Sequence, residues 1–108
     1  MIMSTVDVHG RIRVSPTELS LFCQRWQITE LSLFGSVLRD DFTNESDVDV
    51  LVVFAPEAPW TLFDLMEIED QLVQMFGREV DLVERDGLVN PYRRETILNS
   101  REILYGNS

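Results

Sequence analysis

The amino-acid sequence predicts a small α/β domain, and three observations lead to that prediction. A chain of 108 residues fits one compact domain, and 44% hydrophobic residues can supply its core. Helical and strand-like patterns alternate along the chain. The run at residues 47–54 is apolar on both faces after its first acids, as in a strand inside a sheet. We therefore predict a single domain over residues 1–108.

The first part of the chain carries a clear helix start. Residues 1–14 show only weak strand-like alternation, so we assign them no structure. If one part of the chain is flexible, we expect it to be this segment. Ser15-Pro16 then gives an N-cap serine and a proline at the first helical position, and Glu18 closes a capping box. This helix should run to about Gln27.

Two strands and a loop follow the first helix. Residues 28–34 read as a strand that Gly35-Ser36 ends, and residues 37–41 as a short helix. The turn-forming run at residues 41–46 is predicted to be a loop, followed by the strand at 47–54.

The second half of the chain repeats the alternation. Thr61 is the predicted cap of a long helix that ends at Gly77. Its apolar stripe comprises Leu62, Leu65, Met66, Leu72, Val73 and Phe76. Residues 79–84 are predicted to form the third strand, and Asn90-Pro91 to open a last helical segment toward Leu104.

The amino-acid composition argues against some classes of function. Nineteen acids against nine arginines give a formal charge of −10, which repels phosphate backbones and argues against direct nucleic-acid binding. No segment has the roughly 20 apolar residues that span a bilayer, so we expect a cytoplasmic protein without membrane contact. Cys23 falls on the apolar side of the first helix and is predicted to be a buried thiol, and His9 to be an exposed bystander.

Two aspartates at the head of the buried strand are the most informative feature. Asp47 and Asp49 alternate with valines, so their side chains point to one face, with Cα atoms roughly 6 to 7 Å apart. Two ionised carboxylates this close are costly unless a cation lies between them. They therefore make a candidate site for hard divalent cations.

A third carboxylate and a turn complete the candidate site. Asp81 lies in the third strand and can share a metal or accept a proton if that strand lies beside the second. Gly35 permits a close backbone approach and Ser36 offers a hydroxyl, so this turn can hold phosphate oxygens, and Arg39 can add positive charge.

Each feature also has an ordinary structural interpretation. An isolated Asp-x-Asp is commonly a solvated turn, Gly-Ser commonly ends a strand, and Asp81 could be an ion-pair partner of Arg78 or Arg85. The combination is more specific, because ten residues separate Gly35-Ser36 from Asp47 and strands lie on both sides.

This constellation resembles the signature of the nucleotidyltransferase superfamily that includes DNA polymerase beta, and most closely its minimal nucleotidyltransferase (MNT) branch. The resemblance covers residues 16–105. It implies a nucleotidyltransferase fold, a small mixed β-sheet flanked by helices. It also implies that Asp47, Asp49 and Asp81 bind two Mg²⁺ ions and that Gly35 and Ser36 contact the triphosphate.

The MNT branch further implies a partner. Its members typically act as antitoxins of a HEPN-domain ribonuclease, and some transfer AMP from ATP to a tyrosine hydroxyl of that toxin. The sequence departs from the family pattern at Leu38 and Asp40, where a small residue and a glycine are common. It also lacks the helical acceptor domain of larger members, which leaves the partner's surface or the segment with Tyr92, Arg93 and Arg94 to grip the acceptor.

Three hypotheses follow for the function. The first is a Mg²⁺-dependent adenylyltransferase that modifies a HEPN toxin. The second is a non-catalytic binding module whose acidic face covers a partner. The third is an enzyme that modifies a small molecule, against which the missing acceptor domain argues.

Overall fold

A computed structural model of the chain describes residues 6–8 and 10–106. Their strands are β1 (Val6–Val8), β2 (Ile12–Val14), β3 (Ile28–Phe34), β4 (Val48–Phe54), β5 (Val80–Glu84) and β6 (Glu102–Tyr105). Their α-helices are α1 (Pro16–Arg25), α2 (Leu62–Phe76) and α3 (Pro91–Ser100). Short 3₁₀ turns cover Gly35–Leu38 and Arg85–Gly87.

Four of the strands form one mixed sheet, in the order β5-β4-β3-β6. β4 and β5 run parallel, whereas β3 pairs antiparallel with both β4 and β6. β4 lies inside the sheet, as its two-sided apolar sequence predicts. The prediction of a mixed sheet flanked by helices is confirmed.

Helices cover both faces of this sheet. The main core packs α1 and α2 on the face of Val48, Val50 and Val52. A smaller cluster on the opposite face joins Phe34 and Leu51 to residues of the α3 region, Leu88 and Ile97. Alternation along β4 therefore sends Asp49 and Leu51 toward the α3 side.

The predicted N-cap residues are present, but the described contacts do not include a return bond from the Glu18 side chain, so the capping box predicted at Ser15 is half formed. The Ser15 hydroxyl accepts a hydrogen bond from the Glu18 amide at 3.3 Å. Thr61 and Asp64 form a reciprocal capping box, and Gly77 ends α2 in the left-handed conformation, with φ of +70°.

The amino-terminal segment differs from its prediction. Val6–Val8 and Ile12–Val14 form an antiparallel hairpin, and Val8, Ile12 and Val14 are buried in the main core. Short strands of three residues give too little alternation to be recognised locally, and packing against the domain stabilises them. His9 lies outside the described residues.

The carboxyl-terminal prediction of helix toward Leu104 is wrong. α3 ends at Ser100, and residues 102–105 pair with β3 as β6. Two interactions explain why the helix gives way to a strand. The edge of β3 pairs with the strand-forming run Ile-Leu-Tyr. The Arg101 Nε atom lies 3.2 Å from a Glu30 carboxylate oxygen, in a largely buried ion pair.

Other boundaries are shifted slightly. β4 begins at Val48, so Asp47 precedes the strand, and β5 begins at Val80. The short helix predicted over 37–41 is a 3₁₀ turn over Gly35–Leu38, because the chain turns directly at the glycine.

The apolar stripe predicted for α2 is partly wrong. Ile68, Leu72 and Phe76 are buried, whereas Leu62 and Met66 are 72% and 56% exposed. At about 100° per residue, Met66 is roughly 200° from Ile68 around the helix. The helix is therefore rotated so that part of its apolar surface faces away from the core. In the described part of the chain, no helix has both the length and the apolar character to cross a membrane.

Cys23 is fully buried in α1, and this burial raises the pKa of its thiol to about 12. We expect an aromatic disulfide reagent at pH 8 to label the native protein only at the rate of unfolding, because the thiolate is the reactive form. Labelling in urea is the control. Rapid labelling of the native protein would show that α1 opens readily.

Candidate active site

Three carboxylates lie at the end of the sheet where β4 and β5 begin. In the parallel pair, Asp49 is the register partner of Asp81, and neighbouring strands are about 4.8 Å apart. Asp49 is half-buried, whereas Asp81 and Asp47 are exposed. The backbone thus brings Asp49 and Asp81 side by side, with Asp47 in the loop just before β4.

Gly35 is in direct contact with this group. It has φ of +76°, a conformation that side chains other than hydrogen disfavour. A Cβ atom added at Gly35 would overlap one carboxylate oxygen of Asp49 and lie 3.2 Å from the Asp49 Cγ atom. The antiparallel register of Phe34 with Asp49 creates this proximity. The Gly-Ser turn and the carboxylates therefore form one structural unit.

Burial and charged neighbours both affect the ionisation of Asp49. Burial raises the pKa of Asp49, and the charges of Asp81 and Asp47 raise it further. Arg39 and Arg93 act in the opposite direction and lower it. Burial is the largest cause of the upward shift, and a cation beside the carboxylate would offset both the burial and the two neighbouring acids.

The other predicted phosphate-binding residues lie on the 3₁₀ turn. Ser36 is half-buried, and its carbonyl accepts a hydrogen bond from the Arg39 amide at 2.9 Å. Arg39 is exposed, with its Nε atom 3.2 Å from an Asp41 carboxylate oxygen. This surface pair is weak, so the guanidinium of Arg39 is available to another anion.

Sequence reasoning missed the role of Arg11 in supporting this turn. The Arg11 guanidinium donates to the carbonyl of Val37 at 2.8 Å and to that of Arg39. It also lies 5.3 Å from the centre of the Phe42 ring, against which Arg78 lies at 4.6 Å. No local signal identifies Arg11, because its contacts are 26 and 28 residues away in sequence.

A second arginine holds the loop before Asp47. Arg78 donates to the carbonyls of Thr43 and Asn44 at 3.3 Å. The Ser46 hydroxyl accepts from the Thr43 amide at 3.0 Å and so closes the turn. Asp47 lines a shallow hollow of about 450 Å³ with this loop and Arg78. The position of Asp47 therefore depends on a residue after α2.

α3 places one of its arginines toward the site. Ile97 packs with Phe34 and Leu51, and Arg93 lies one helical turn before Ile97 on the same side of α3. Leu51 lies two residues after Asp49 on the same strand face, which explains why Arg93 lowers the pKa of Asp49. Tyr92, also a candidate from the sequence, is 83% exposed.

The chemistry of this site suits a divalent cation. Carboxylate oxygens are the ligands that Mg²⁺ prefers, and a cation near Asp49 would relieve the repulsion that raises its pKa. The side chains are not arranged as ligands, however: among residues 6–8 and 10–106, no three His, Cys, Asp or Glu side chains form a group that could hold a metal ion. The strand register brings Asp49 and Asp81 side by side, but their side chains are not gathered into a ligand group in this structure.

The chain matches a known family and several known proteins. Residues 19–104 match the model of the nucleotidyltransferase domain. Protein adenylyltransferase MntA of Thermococcus cleftensis is 37% identical over 82 residues, which are 76% of this chain and 78% of that protein.

Solved structures show the same fold. A protein provisionally described as a minimal nucleotidyltransferase superposes with a TM-score of 0.66 and 31% identity, over 81% of this chain and 86% of the other. A chain from the complex of tri-AMPylated Shewanella oneidensis HEPN toxin with its MNT antitoxin has a TM-score of 0.60 and 18% identity, over 85% of this chain and 70% of that one. The second likeness is one of fold.

Gly35→Ala should be more destabilising than Gly77→Ala. Both glycines have left-handed backbones, with φ of +76° and +70°, so each alanine costs about 1–2 kcal/mol of unfolding free energy. Only at Gly35 does the methyl group meet another residue, Asp49, which adds about 1–3 kcal/mol. Urea unfolding measures the loss of unfolding free energy in both variants. Equal losses in the two variants would show that the Asp49 side chain moves aside without an energetic cost.

Asp49→Asn should stabilise the protein at neutral pH. The folded-state pKa of Asp49 is raised, so the stability from its protonated form is present below the unfolded-state pKa and lost as the pH rises through the folded value. The unfolding free energies of variant and wild type should therefore converge in acid and diverge toward pH 7. Asp40→Asn, an exposed aspartate outside the carboxylate group, is the matched control. A destabilised Asp49→Asn would overturn the like-charge argument.

Proposed function

This chain belongs to the nucleotidyltransferase domain family, and from that premise we propose that it is an antitoxin that transfers AMP from ATP to a tyrosine hydroxyl of a HEPN-domain toxin. The observation that carries the proposal is the register of Asp49 with Asp81, combined with the contact between Asp49 and Gly35. Together these support a site in which the Gly-Ser turn, proposed to bind phosphate, adjoins two carboxylates. The relatives named above support the reaction class and the kind of partner.

Asp47, Asp49 and Asp81 are the proposed ligands of Mg²⁺, with two ions expected. When bound, the ions would supply positive charge to the phosphates and to the entering and leaving oxygens. Gly35 and Ser36 would hold the triphosphate through backbone N–H groups and the Ser36 hydroxyl. Arg39 and Arg93 lie close enough to Asp49 to affect its pKa, so they can add charge at the phosphates.

Asp81 is the proposed general base. Its side chain is exposed at the head of β5, where an acceptor hydroxyl can approach it from solvent. Asp81 would take the tyrosine proton while the phenolic oxygen forms a bond to the α-phosphorus of ATP. The bond from that phosphorus to the bridging oxygen breaks, and pyrophosphate leaves. The products are O-adenylyl-tyrosine and pyrophosphate.

The proposed partner supplies the acceptor and its positioning. We propose a hetero-oligomer with the toxin in the cytoplasm, where ATP is available. The negative charge of the chain makes an RNA partner unfavourable. Modification of the toxin near its own active site would silence it.

A non-catalytic binding module is the alternative. The feature that favours it is the net charge of −10. In that case the acidic surface alone would neutralise the partner, and the carboxylates would be vestigial.

Transfer to the toxin is the decisive test. The purified protein is mixed with the product of its neighbouring gene, which the proposal expects to be the HEPN toxin, together with labelled ATP and Mg²⁺, and the added mass on that product is measured. We expect transfer by wild type, none by Asp47→Asn/Asp49→Asn, and a rate about 10²–10⁴-fold lower for Asp81→Asn. Asp40→Asn is the control. A double variant that silences the toxin as well as wild type, without label on the toxin in either reaction, supports the binding module.

Ligand-dependent stability gives a readout that does not depend on transfer. Mg²⁺ and ATP should raise the melting temperature of the wild type, because a ligand that binds only the folded state stabilises it. The double variant should lose this shift and remain folded.

A further inference from the structure

Three large apolar side chains at the start of α2 are exposed. Leu62, Phe63 and Met66 are 72%, 81% and 56% exposed, respectively. They lie within two turns of one helix, so they form a continuous surface rather than scattered residues. Clustered apolar exposure of this kind marks interaction surfaces.

This surface continues into a groove beside β5. The groove has a volume of about 220 Å³ and is lined by Val52, Leu62, Leu65, Met66, Glu69, Leu82 and Glu84. β5 pairs with β4 on one side, and within the described residues no strand pairs with its other side. An edge strand of this kind presents N–H and C=O groups to an added segment.

Two acids, Glu69 and Glu84, line the groove. α2 as a whole carries four acids and no basic residue. Burial raises the pKa of Glu69, and the charges of Asp81, Asp70 and Glu79 raise it further, so this negative charge is uncompensated. The nearby Arg85 has its Nε atom 3.5 Å from a carboxylate oxygen of Asp86. The groove is therefore apolar at its floor and acidic at its rim.

We propose that this α2–β5 groove is the docking site for an extended segment of the partner toxin that carries both apolar side chains and arginines or lysines on the face turned toward α2. The apolar side chains would contact Leu62, Met66 and Leu82, the basic ones would meet Glu69 and Glu84, and the backbone would pair with β5. This inference rests on the proposed function for the identity of the partner.

Charge excludes the other occupants. A second copy of this chain, at −10, would bring the same acids against each other. A nucleic acid would be repelled in the same way. Docking here also has a use for the reaction, because β5 carries both Glu84, which lines the groove, and Asp81, which lies about 10 Å along the strand on its other face. A segment that pairs with the edge of β5 would run past both residues.

Binding to the purified HEPN protein, measured by calorimetry without nucleotide, tests the docking site. Leu62→Glu/Met66→Glu should weaken binding at least about tenfold, in the range of interface hot spots. Leu21→Glu is the matched control, because Leu21 is 62% exposed in α1 and lies against a different groove; its affinity should stay within twofold of wild type. Both variants change exposed positions, and circular dichroism checks that they fold.

A charge-reversal pair tests the acidic rim. Glu69→Lys/Glu84→Lys should weaken binding and reduce its dependence on salt. Glu102→Lys, which reverses an exposed acid on β6, is the control and should leave both unchanged.

Each outcome separates docking from catalysis. Unchanged binding of the α2 variant, while AMP transfer continues, overturns the docking site and leaves the proposed function intact. Weakened binding in a system that transfers no AMP supports the docking site and overturns the transferase proposal. No binding by wild type overturns the docking site. If sedimentation shows that the chain alone dimerises and Leu62→Glu/Met66→Glu prevents this, the groove holds a second copy and the partner proposal fails.

Discussion

The parallel pairing of β4 with β5 is the constraint on which the rest of the site depends. It sets Asp49 beside Asp81 although they are 32 positions apart in the sequence. A parallel pair needs a crossover, and α2 provides it while packing its buried side on the sheet. The antiparallel partner of β4, β3, then delivers Gly35 to the same place. Three elements thus meet at one carboxylate, and each contributes one part of the site.

The contact between Gly35 and Asp49 couples the backbone conformation of the turn to the position of a carboxylate on β4. A side chain at Gly35 would occupy the space of the Asp49 carboxylate. The glycine therefore serves two purposes at once, since it permits the left-handed turn and leaves room for a charged neighbour. Arg11 adds a third constraint, because it holds the carbonyl groups on the far side of the same turn.

Much of this arrangement follows from local sequence, and the remainder depends on distant contacts. Caps such as Ser15 and Thr61, and the two-sided apolar run of β4, act over a few residues and are readable in the sequence. The strand β6 cannot be predicted from local sequence, because it forms by pairing with β3. The rotation of α2 depends on which residues reach the sheet, and three-residue strands such as β2 show too little alternation. At the site, the sequence predicts the carboxylates and the Gly-Ser turn, whereas Arg11 requires the folded hairpin.

The acids beside β5 have a second consequence for the chain when it is alone. A strand edge next to an apolar groove is a template for pairing with identical chains and for aggregation. Glu69, Glu84 and Asp81 place like charges wherever two such edges would meet. The same acidic side chains that would select a basic segment therefore oppose self-association of the unbound protein. The chain needs this protection for as long as no partner covers the groove.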